Sequence, residues 1–286
     1  MRSLHSSPLV AFLLSLLFAL PMRTQQAASP PLPEIPQLMN EVHEHQKQLD
    51  KVRENYTYSV LREVQEIDAK GQVSKTGSEE AEIFFVNGQE ISRSVKKDGK
   101  PLTDEEQNTE TEHVTRLVEK AEKTPPDQHM GGHAISVGRL LEIMDVRNER
   151  RENYRGRPTI IFDFVGRKDV QTHGKAEDVS KDLQGTVWID EADRQVARME
   201  ASFDDNFHIG GGIIANVQKG SRFNFDQAPV NGEIWLPSGV DATVQVRVMM
   251  LKTVRRHFTE RDYDYKRFHV DAQQGKGAKI VPEDKP

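Results

Sequence analysis

Few residues of this chain are spaced for chemistry, and each such group has a structural reading beside it. Asp190-Glu191-Ala192-Asp193 spells the acidic box of nucleotide-driven helicases. Nucleotide hydrolysis also needs a phosphate-cradling loop, G-x-x-x-x-G-K-[ST]. The Gly-Lys pairs here run on into Pro101, Ala176 and Gly277, none of them Ser or Thr. The acidic box therefore reads as a turn, and no nucleotide partner is expected. His129 and His133 have the four-residue spacing that places two imidazoles on one helix face for zinc. Gly131 and Gly132 lie between them and Pro125-Pro126 precedes them, so this stretch reads as a loop. His43 and His45 are two apart on a predicted helix and diverge. Gly210-Gly211-Gly212 has no helix after it, so it marks a bend or bulge and not a dinucleotide fingerprint. Asp204 and Asp205 are adjacent and would point to opposite faces of a strand. Asn55-Tyr56-Thr57 has the form of a glycosylation sequon, a short pattern that also arises by chance. No catalytic residue, no metal ligand and no cofactor site is expected, so the chain reads as a non-enzyme.

The composition narrows the classes further. The 286 residues are 36% hydrophobic and 29% charged, with a net charge of −6 and no cysteine. A mildly acidic body argues against nucleic acid, which wants a basic face. Without cysteine there is no disulfide, no thiolate ligand and no lipid-modified N-terminal cysteine. Arg2 and His5 precede an apolar run at residues 9–20, followed by Pro21. Twelve residues are too few for a bilayer core that needs about 20. Residues 1–28 are therefore expected to be a secretory signal peptide, with an uncleaved membrane anchor as the alternative. The folded part is expected outside the cytoplasm, periplasmic or secreted.

The elements that would position any site are mostly strands. After a proline-rich linker at residues 29–36, the spacing of Leu38, Met39, Val42, Leu49 and Val52 predicts a helix over residues 36–55. Tyr56, Tyr58, Val60 and Val64 then alternate on one strand face. Asn87-Gly88 is a hairpin signal between two strands, and Asp98-Gly99 marks another turn. Thr103 and Glu106 have capping-box spacing before a helix whose stripe is Val114, Leu117, Val118 and Ala121. Val137, Leu140, Leu141 and Met144 predict a third helix over residues 136–149, with Arg147, Arg150 and Arg151 at its end. Residues 168–184 read as a charged loop. From Thr159 onward the rest is strands. Ala197, Met199, Ala201 and Phe203 alternate with Arg198, Glu200 and Ser202, and Val240 to Met250 alternates over eleven residues. Tyr263 and Tyr265 are expected on one face of the last strand, and residues 271–286 as a disordered tail.

About 9–11 antiparallel strands with three early helices imply an α+β fold. The sheet is expected to be strongly curved, an unclosed β-barrel, and about three α-helices would form its lid. Residues 37–270 would make this one domain. A curled sheet under a helical lid can enclose an apolar cavity.

The residues GTVWIDEADRQVARME resemble the strand pair of the LolA-like, outer-membrane lipoprotein-sorting family, with its G-x-hydrophobic-W-I-D followed by R-x-E. YRGRPTIIFDF, GEIWLPSGV and YDYKRF are also similar to that group, and the likeness runs over about residues 55–270. The resemblance implies an unclosed barrel with a helical lid. It also implies a periplasmic carrier that holds a lipid or a lipoprotein acyl chain, or an RseB-like regulator that contacts an envelope membrane protein. On that expectation Val137, Leu140, Leu141 and Met144 line the lid side of the cavity. Met199, Phe203, Val244, Val246 and Val248 line the sheet side. The same stripes also read as ordinary core.

Overall fold

The computed structural model describes residues 30–125, 130, 139, 142–209, 215–249, 252–271 and 279–282. The chain divides into two compact units, Met1–Pro31 and Leu32–Pro286, and every element below belongs to the second. Helix α1 spans Ile35–Arg53, with a proline in its first turn. Proline suits that position because the N–H it lacks would have no partner there. Strands β1 (Tyr56–Ile67), β2 (Val73–Val86), β3 (Gln89–Lys97) and the short β4 (Lys100–Pro101) follow as a meander. Asn87-Gly88 and Asp98-Gly99 both take positive φ, the turn geometry that matches the twist of a hairpin. Helix α2 spans Asp104–Lys123. Its capping box is complete, with Thr103 accepting from the Glu106 N–H and Glu106 accepting from the Thr103 N–H.

The second half is again a meander: β5 (Met144–Tyr154), β6 (Arg157–Gly166), β7 (Leu183–Asp190) and β8 (Gln195–Phe203). The six-residue helix α3 (Lys175–Ser180) interrupts the connection expected as a loop. The short strands β9 (Phe207–Ile209) and β10 (Ala215–Val217) precede β11 (Arg222–Val230), β12 (Ile234–Val248) and the long β13 (Lys252–Asp271). β14 (Lys279–Pro282) pairs with the end of β13 inside the stretch read as a tail.

Among the described residues eleven strands run in one hydrogen-bonded path, β4-β3-β2-β1-β13-β12-β11-β8-β7-β6-β5, and β4 and β5 stay unjoined at its ends. The sheet is antiparallel, curved and unclosed, as the alternation implied. Among the described residues its two meanders meet only where β1 pairs with β13. Ile35, Leu38 and Val42 of α1 pack on Ile160, Phe162, Phe164, Val187 and Ala201. Leu49 and Val52 pack on a second cluster with Tyr56, Val230, Ile234 and Leu236. Gly185 sits where a Cβ would fall 1.9 Å from the Glu200 carbonyl and 2.7 Å from the Phe164 ring, so only glycine fits there.

Besides the helix in the expected loop and the strand in the expected tail, two expectations need correction. The helix expected over residues 136–149 ends at Ile143, and Met144 opens strand β5. Met144 satisfies helical spacing with Leu140 and Leu141 and also a period of two with Val146, and pairing with β6 decides for the strand. Met144 is thus an edge-strand residue and not part of a lid. Tyr263 and Tyr265 fall on different faces. Asp264 has φ +57 where β1 and β13 slip register, and such a bulge reverses the alternation.

Candidate functional site

Register places one set of side chains on the face that α1 and α2 cover. Cross-strand partners share a face. One row runs Phe164, Gly185, Ala201, Phe223, Ala242, Phe258, Val64 and Gly77 across seven neighbouring pairs. The next row runs Phe162, Val187, Met199, Phe225, Val240, Glu260, Arg62 and Glu79. The first row is apolar throughout. The second turns charged as it crosses onto β13 and β1.

A cavity of about 710 Å3 lies where these rows pass beneath α2. Val64, Phe258 and Leu102 give it an apolar floor. Arg62, Glu79, Lys96 and the α2 residues Glu105, Glu106 and Glu110 give it charged walls. The capping box fixes where α2 begins. Glu110 accepts from the Ser94 N–H at 2.8 Å, which ties the helix to β3. At the other end of α2, the Asn87 side-chain amide donates to the carbonyls of Ala121 and Thr124.

Beside the cavity sits a group of acids around one guanidinium. Arg62 Nε donates to Glu260 at 2.7 Å and its Nη1 to Ser92 Oγ at 3.0 Å. Burial disfavours the Arg62 charge, but Glu260 and Glu79 outweigh it and hold the proton on. Tyr58 donates to Glu90 at 3.4 Å. Glu90 is raised by burial and then by Glu260. Asp262 is buried, and its Oδ2 has no hydrogen-bond partner among the described residues. Burial, then the charges of Glu260 and Glu90, push its carboxyl up to about 7. Arg62 and Asp262 were missed in the sequence, although Arg62 lies between Val60 and Val64 at an inward-facing position. A charge interrupting an apolar alternation was the available signal.

Among the described residues, none of those expected to form the site lines this cavity. Val137, Leu140 and Leu141 lie outside the described residues. Met144 and Met199 pack against the core beneath α1. Phe203 stacks at a tilt on Phe207, ring centroids 6.4 Å apart. Val244 and Val246 are half-buried on the same face, and Val248 reaches solvent at the end of β12.

The acidic box is a structural node. Asp190 accepts from the N–H groups of Ala192 and Asp193 and from both arms of Arg157. Arg157 also bonds Asp193 at 2.6 Å and lies over the Trp235 ring. His45 meets the Asp193 carbonyl through Nδ1, so its role too is to join α1 to this turn. Asp204 pairs with Lys168 at 3.1 Å. His129, His133 and Gly210–Gly212 lie outside the described residues. Among the described residues no group of three or more His, Cys, Asp or Glu is arranged to hold a metal, and no helix is long and apolar enough to cross a membrane.

No protein-family model matches the chain, and no curated protein matches it. Solved structures do resemble its path at low identity. A putative outer membrane lipoprotein-sorting protein domain from Vibrio parahaemolyticus is 12% identical with a TM-score of 0.33, covering 84% of this chain and 95% of its own. A LolA superfamily protein from Nitrosomonas europaea is 8% identical with a TM-score of 0.27, covering 78% and 92%. A chain of the Pseudomonas aeruginosa MucA/MucB complex is 8% identical with a TM-score of 0.24, covering 78% and 94%. These are likenesses of fold alone, each with a TM-score below 0.5.

Proposed function

We propose that the protein is a non-enzymatic binding protein of the cell envelope that holds an acyl chain on its helix-bearing face. The observation that carries this is the cavity of about 710 Å3 beneath α2, floored by Val64 and Phe258, two members of the apolar row that runs on through Ala242 and Phe223. Its size falls in the range of small-molecule sites. An acyl chain laid along that row would bury apolar surface at about 0.8 kcal/mol per CH2. A polar head would then meet Arg62 and Lys96 at the wall. In this proposal residues 1–28 are a removed leader, 29–36 a linker and 37–270 the binding domain, and the working place is the periplasm. A lipoprotein anchor or a free lipid would supply the same chain.

Native mass spectrometry of the purified protein, with displacement of a fluorescent fatty acid, tests it. The expected result is a copurifying acyl amphiphile and saturable displacement. Val64→Trp, which fills the cavity from its floor, should weaken fatty-acid binding about tenfold. Absence of any lipid together with no fatty-acid binding would overturn the proposal. Copurification of a membrane protein in place of lipid would favour a regulatory module on the same fold.

A further inference from the structure

The β12–β13 hairpin differs in kind from the other turns of the sheet. Eight non-glycine residues among those described take positive φ: Asn87, Asp98, Asn148, Arg155, Arg194, Asn231, Met249 and Asp264. Seven of them are polar, and Asn, Asp and Gly are the residues such turns favour. Met249 is the exception, at φ +49 and 70% exposed. An unbranched apolar side chain gains nothing from that backbone geometry, and here it gains nothing from burial either. Beside it Val248 is 37% exposed. Val73, 53% exposed, stands at the same end of the sheet, in the row of Ile67 and Arg255.

Charge along this hairpin is one-sided. Between Asp241 and Glu260 the chain has four basic residues and no acid, within a protein whose net charge is −6. Arg256 is matched by Glu66 at 3.1 Å. Arg247 and Lys252 are exposed and pair with no carboxylate among the described residues. They lie one register step apart, in the pairs Arg247–Thr253 and Val248–Lys252. Exposed apolar side chains flanked by two cations match the two layers of an anionic bilayer surface: phosphates outside, hydrocarbon just beneath.

We propose that this hairpin tip docks on anionic lipid bilayers, with Val248 and Met249 entering the interface and Arg247 and Lys252 meeting lipid phosphates. The surface is separate from the cavity, so the tip would hold the protein against a membrane whatever the cavity carries.

The chain has no cysteine, so Met249→Cys in the full chain gives a single site for a nitrobenzoxadiazole label. The labelled protein is mixed with vesicles of phosphatidylcholine plus phosphatidylglycerol, or of phosphatidylcholine alone. A blue shift and brightening on the anionic vesicles only is expected, with no change for the same label on Asn231→Cys at the β11–β12 turn. Arg247→Gln with Lys252→Gln should weaken the response about 25-fold, about fivefold for each cation removed. Equal responses on both vesicle types would overturn the proposal. So would protein that sediments with vesicles while the Met249→Cys label stays in water, since another segment would then make the contact. A shift that depends on protein concentration without vesicles would show a second copy as the occupant and also overturn it.

Discussion

Asp190 and Asp262 are both aspartates on the sheet, both buried, and they carry opposite electrostatic characters. Asp190 is 1% exposed and accepts from two backbone N–H groups and the fork of Arg157. Burial alone would raise its carboxyl, but the Arg157 and backbone bonds outweigh that and hold it below the usual carboxylate range. Asp262 is 7% exposed, has an orphaned oxygen and faces Glu260 and Glu90. It is pushed up to about 7. Burial is common to both, so partners decide the sign. A buried carboxylate with donors supports a turn as a permanent charge. One without donors becomes a group that titrates in the physiological range.

The largest way to break this contrast is at the satisfied aspartate. Asp190→Ala leaves the Arg157 guanidinium and two turn N–H groups without their acceptor. The expected loss is about 3 kcal/mol at pH 7 by urea unfolding. A loss below about 1 kcal/mol would mean that Asp193 takes over.

The unsatisfied aspartate should respond in the other direction. Folded Asp262 titrates near 7 against a reference of 3.8, so the folded state takes up a proton between those values as pH falls. Its burden on stability is small below pH 4, grows as pH rises, and is complete above 7. Asp262→Asn should therefore stabilise the protein at pH 8 by an amount on the order of a few kcal/mol, and by close to nothing at pH 4. Equal gains at both pH values would show that ionisation is not the cause. The smallest expected effect sharpens the cause further. Glu90→Gln removes one of the charges facing Asp262, so the Asp262 titration should move down by about half a unit. Carboxyl-carbon NMR reads this directly, and an unmoved midpoint would leave burial and Glu260 as the causes of the shift.

The parts of the fold legible in the sequence are those written in local chemistry. Thr103 and Glu106 mark the start of α2 because the capping box is a four-residue signal. Asn87-Gly88 marks its hairpin because the turn itself demands those residues. Ala197–Phe203 and Val240–Val248 show their faces through strict alternation. Met144 reads as helical because its spacing from Val137, Leu140 and Leu141 fits a helix, while its spacing from Val146 fits a strand. Tyr263 and Tyr265 read as sharing one face because a bulge leaves no mark in a period of two. The charged end of the candidate site is invisible for a related reason. Arg62 and Glu260 come from strands far apart in the chain, and only their pairing puts them side by side.

That pairing has a consequence for how the chain reaches its fold. Arg62 and Glu260 are separated by 198 residues, and among the described residues the two meanders touch through no other strand pair. High contact order slows folding, because closure of a long loop precedes the reward. A chain emerging from its N-terminus would hold β1 with one bonding edge bare until nearly the whole sequence has followed. Such an edge invites mispairing with another copy. Refolding should accordingly be slow and concentration-sensitive, with the late zipping of first strand to last as the step that ends the exposure.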